Sequence, residues 1–113
     1  MKFRTELEYY RLLPDHTLEK VEEGGFADNI ISWARWMAAH EDVRQLALDT
    51  VGDVEISTVF LGFDHGISGP PLLFETMIFN GPRHLDRDRY STWQEAMDGH
   101  AAMVAEVRKE ICG

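Results

Sequence analysis

"QLALDTVGDVEISTVFLGF", residues 45–63, decides how the rest of the chain is read. Val51-Gly52-Asp53 lies between two runs rich in β-forming residues, which predicts a hairpin turn. From Thr58 onward the second run, Val54–Phe63, is apolar on both faces. A strand of that kind is central, covered on each side or close to a subunit contact. Residues 72–79, "LLFETMIF", have the same character. The two strands and the Gly- and Pro-containing loop between them predict the middle of an antiparallel sheet.

Working outward, residues 3–22 alternate weakly and break at Pro14-Asp15-His16-Thr17, which predicts two short strands about a turn. Gly24-Gly25 ends that extended region. Phe26, Ile30, Trp33, Ala34 and Met37 then fall at helical spacings, predicting a helix over 28–41 with Asp28 as its N-cap. Trp36 sits at the rim of that stripe. On the other side, "NGPRHLDRDR" (80–89) reads as a mixed-charge connection. Thr92 and Glu95 have the spacing of a capping box. Trp93, Met97, His100, Val104, Val107 and Ile111 follow as an apolar seam, suited to a sheet or to a second copy of itself. The expected fold is α+β, an antiparallel sheet of about four to five strands with two helices packed on one face.

At 113 residues the chain is expected to form a single domain, 1–113. One cysteine, Cys112, cannot make an internal disulfide. No apolar run has the length a membrane helix needs, and "MKFRTELEYY" carries acids where a signal peptide is apolar. A soluble protein of the cytoplasm is the expectation. Net charge is −9, which disfavours direct contact with nucleic acid because phosphate binding needs a basic face. Imitation of a phosphate backbone would instead require Glu6, Glu8, Glu19, Glu22 and Glu23 to form one face with the other surface acids.

Five residues are candidates for ligand contact: Trp36, Asp64, His65, Glu75 and His100. His100 is a polar group on an apolar seam and needs a partner. Packed and neutral, it would bond a backbone carbonyl or Glu75; in a cleft with Glu75 it would be an acid–base group. Glu75 alternates with Leu73, Met77 and Phe79, so it either pairs with an arginine or reaches solvent. Asp64-His65-Gly66 opens a loop where functional groups tend to gather, yet Asp64 can equally shape the turn. His84, Asp86 and Asp88 lie too close together for an ordinary zinc set. No phosphate loop, dinucleotide fingerprint, HExxH or GxSxG occurs, so no metal, no cofactor and no catalytic residue is expected.

The runs "EISTVFLGFDHGISGPPLLFETMIFNGP" and "RYSTWQEAMDGHAAMVAEVR" carry a resemblance. Together with "ISWARWM" they are similar to a family of small uncharacterised proteins encoded in tailed-phage and prophage genomes. The likeness spans roughly residues 30–108 and is weaker in the N-terminal stretch and in "AAHEDVRQLALD". It implies a phage origin and a host-cell cytoplasm, and transfers no activity or site residue. The expected function is that of a small acidic accessory protein that binds a host or phage macromolecule, a protein partner, without catalysis. A homodimer is expected from its apolar surfaces. The alternative is a small-ligand, nucleotide-like binder or enzyme with its pocket at the 64–71 loop.

Overall fold

The structure, a computed structural model, describes residues 7–64 and 69–112. It is of the α+β class. In chain order the elements are β1 (Glu8–Leu12), β2 (Leu18–Lys20), α1 (Phe26–Ala39), α2 (Glu41–Arg44), β3 (Gln45–Val51), β4 (Val54–Phe60), β5 (Phe63–Asp64), β6 (Phe74–Phe79), β7 (Arg87–Tyr90) and α3 (Trp93–Cys112).

The 45–63 segment folds as the sequence predicts. Val51 pairs with Val54 across Gly52-Asp53, and Gly52 takes φ 60°, a conformation cheap only for glycine. β4 is central, between β3 and β6, in an antiparallel sheet of order β3-β4-β6-β7. The strands do not form a single sheet, however. β2, β1 and β5 make a second antiparallel sheet, joined to the first where Tyr10 N–H donates to the Gly62 carbonyl, 2.7 Å.

The helices also divide their work. α3 lies across all four strands of the larger sheet, while α1 packs against β1 and α2. Both halves of the Thr92–Glu95 capping box form, each at 3.1 Å. In α1 the cap differs from expectation. Gly25 is the N-cap and Asp28 sits in the first turn, whereas the Asn29 side chain accepts from the N–H groups of Glu23 and Gly24.

Strict alternation along β4 turns Val54, Ile56, Thr58 and Phe60 toward α3. Two apolar clusters result. Val51, Val54, Ile56, Ile78, Met103, Val104 and Val107 fill one, and Leu12, Phe60, Leu73, Phe74 and Ala96 the other. Thr58, Thr76 and His100 are the buried polar residues at the same face, between the two. The opposite face, with Leu48, Ser57, Val59, Glu75, Met77, Phe79 and Arg89, has no helix packed on it among the described residues. No helix there is long and apolar enough to cross a membrane.

Candidate functional site

His100 reaches the sheet from the middle of α3 and is held at both ring nitrogens. Nε2 lies 2.7 Å from Asp49 Oδ2 on β3, and Nδ1 lies 2.7 Å from Thr58 Oγ1 on β4. Thr58 Oγ1 is 2.5 Å from Thr76 Oγ1 on β6. A single polar chain therefore links α3 to three strands of the larger sheet, β3, β4 and β6. Its donors and acceptors match in one direction. Thr76 donates to Thr58, Thr58 to His100 Nδ1, and His100 Nε2–H to the Asp49 carboxylate. The tautomer is assigned from that pattern. Beside this polar chain, on β7, burial raises the Tyr90 phenol above its ordinary range.

Asp, His and a hydroxyl in that order resemble an acyl-transfer triad. The burial contradicts the likeness. Thr58 is 0 % exposed, and its oxygen is already engaged by both His100 and Thr76. A nucleophile must meet its substrate at about 3 Å, and no opening leads to this one. The chain pins α3 to the sheet.

Glu75 does not meet His100. It points to the opposite sheet face, where it accepts from Arg89 Nε at 2.9 Å. Of the two partners foreseen for His100, neither a carbonyl nor Glu75 is used; Asp49 and Thr58 take their place. Asp64 is buried, and its Oδ2 accepts from Leu72 N–H at 3.3 Å, tying the two ends of the loop. His65 lies outside the described residues. Trp36, the remaining candidate, is on α1 and stacks on His40. The five candidates thus do not converge on the 64–71 loop, as far as the described residues go.

Two concavities flank α1. One, about 410 Å³, is walled by two tryptophan–histidine stacks, His16 on Trp93 (3.8 Å, 5°) and His40 on Trp36 (4.4 Å, 14°), with Leu12 and Leu46 at its floor. The other, about 500 Å³, is lined by Trp33, Met37, Arg44, Val59 and Phe63 among others. Trp33 Nε1 and Arg44 Nε, both there, are buried without a hydrogen-bond partner. The ring of Phe63 stands at 81° to the Trp33 indole, with centroids 5.7 Å apart.

Sequence reasoning missed Asp49, His16, His40 and Trp93 as site residues. It placed Trp93 on the α3 seam and Trp36 beside His40, an i, i+4 pair on one helix face, but nothing in the spacing of 16 and 93 hints that they meet each other or that pair. The acids proposed as a phosphate-like face are neutralised locally: Arg11 pairs with Glu19 and Glu23, and Lys20 with Glu8 and Glu22. Glu6 lies outside the described residues. His84 Nδ1 accepts from Asn80 N–H and Asp86 pairs with Arg83, so that segment is knitted into its own turn. Among the described residues no three His, Cys, Asp or Glu are grouped to hold a metal ion. No protein-family model, curated protein or solved structure matches the chain.

Proposed function

We propose that the protein is a small acidic binding protein of the phage accessory kind, acting on a host or phage protein without catalysis. One observation carries this. The four-stranded sheet spends its His100, Thr58 and Thr76 groups on the face under α3 and, among the described residues, leaves its other face without a helix laid across it. That face offers half-exposed Leu48 beside Ser57, Met77 and Arg87 in one cross-strand row. Val59 and Phe79, half-buried, extend it. An apolar strip rimmed by charge is the usual form of a protein contact, to a partner or to a second copy.

The test compares the natural chain with Leu48→Glu/Met77→Glu. Both substitutions lie on the uncovered face, so folding is expected to survive. Mass in solution at high concentration and capture of partners from phage-infected host extract are read for each. The natural chain is expected to self-associate or to retain a discrete partner, and the variant to lose either one. A nucleotide or divalent metal that stabilises the chain by about 2.7 kcal/mol at a hundredfold its Kd would contradict the reading.

A further inference from the structure

We propose that the concavity of about 500 Å³ formed by α1, α2 and the end of β4 is a binding site for a small monocarboxylic acid with an apolar body. The inference goes beyond the binding reading above and does not depend on it.

Met37, Val59, Leu61 and Phe63 give the concavity apolar walls, and its volume falls within the roughly 300–1,000 Å³ of small-molecule sites. Four polar side chains share the lining: Trp33, Glu41, Arg44 and Gln45. Gln45 is already engaged, its amide donating to Ser57 at 3.1 Å. Trp33 Nε1 and Arg44 Nε are buried and have no hydrogen-bond partner. Indole and guanidinium groups donate and cannot accept, so both lack the same thing, an acceptor oxygen. Buried donors without one are rare in a folded chain and point to an occupant that supplies it.

The chain keeps its own groups away from these donors. Gly62 passes the indole nitrogen at φ 79°, and a Cβ there would stand 2.7 Å from Trp33 Nε1 and 3.3 Å from Met37 Sδ. Glycine leaves that space unfilled. The carboxylate of Glu41 comes no nearer to Arg44 than 3.8 Å at Nη2, beyond hydrogen-bond length, and its side chain is 76 % exposed. Water therefore screens that pair, and the guanidinium keeps its capacity for a better acceptor.

Charge and shape then select the occupant. A cation would meet Arg44, and a neutral apolar molecule would leave both donors unpaired. A phosphate would find no second Lys or Arg in the lining and would stand beside Glu41. A carboxylate carries one charge, and its two oxygens match the planar fork of a guanidinium. The apolar walls take the rest of the molecule. The net charge of −9 repels an acidic protein segment more than a lone monoanion, so the carboxylate belongs to a free acid.

The experiment is a calorimetric titration of the full chain with phenylacetate. Parallel titrations use phenylacetamide, the uncharged twin, benzylphosphonate, the more highly charged one, and the peptide acetyl-Leu-Glu-Leu-amide. Phenylacetate is expected to bind about tenfold more tightly than phenylacetamide. Arg44→Gln, on a side chain held by one long ion pair, leaves the fold intact and is expected to abolish that preference. Trp33→Phe, which keeps a ring and removes the N–H, is expected to weaken phenylacetate about threefold or more. Equal binding of acid and amide would overturn the inference, as would tighter binding of the phosphonate or the peptide. Undiminished binding of phenylacetate to Arg44→Gln, or no heat at millimolar phenylacetate, would also overturn it. Should Trp33→Phe fail to fold, the comparison of acid with amide on the natural chain and on Arg44→Gln decides the matter alone.

Discussion

Thr58 shows how much depends on one oxygen. It donates to His100 and accepts from Thr76, and removing it would leave two buried groups unpaired. On the neighbouring strand β7, Tyr90 can lie over α3 only because Gly99 has no side chain. A Cβ there would come within 2.3–2.4 Å of the Tyr90 ring and hydroxyl. Gly→Ala inside a helix ordinarily gains about 1 kcal/mol. Gly99→Ala is expected instead to lose about 1 kcal/mol or more in urea unfolding, because the Tyr90 ring must move. His100 was legible in the sequence, as a polar residue on an apolar seam. Asp49 was not, because an acid on a strand beside a hairpin reads as solvent-facing, and only the register with Ile56 brings its half-exposed carboxylate to His100. Thr58 and Thr76 were hidden for a related reason: threonine is a strand former in its own right, and its presence asks for no other explanation.

At the level of elements, the long periodic segments were readable and the short ones were not. The hairpin turn, the central strand and the capped α3 lie where the pattern puts them. β7, "RDRY", was read as part of a charged connection because three of its four residues are ionic. Its place is set by pairing with β6, where Arg89 stands opposite Glu75. β5, two residues long, has no sequence signal at all. α1 was read over 28–41 and runs over Phe26–Ala39, with none of its residues fully buried. Phe26, on its expected apolar stripe, is 53 % exposed. A helix flanked by two concavities and without a side-chain N-cap bond has little to hold it beyond its inner face. In hydrogen exchange, amides of α1 are therefore expected to open about ten- to hundredfold more readily than those of α3 around His100. Equal protection of the two helices would contradict that account of α1.

Across the whole molecule, the described fold is more drawn out than a sphere of its mass. Its radius of gyration is 15.7 Å and its extents are 52 × 34 × 23 Å, against about 13 Å for a compact chain of this length. The strands divide into two sheets joined at Tyr10 and Gly62, and only the larger carries α3. The polar chain lies between two apolar clusters and links three strands of the larger sheet to one helix. Groups of that kind stabilise a fold when fully paired, whereas residues kept for catalysis tend to cost stability and release it on substitution. Urea unfolding of Thr58→Val beside Thr76→Val separates the two cases most directly. The account predicts a loss of about 2 kcal/mol for Thr58→Val and about 1 kcal/mol for Thr76→Val, which leaves Thr58 still bonded to His100. An unchanged or increased stability in Thr58→Val would contradict it.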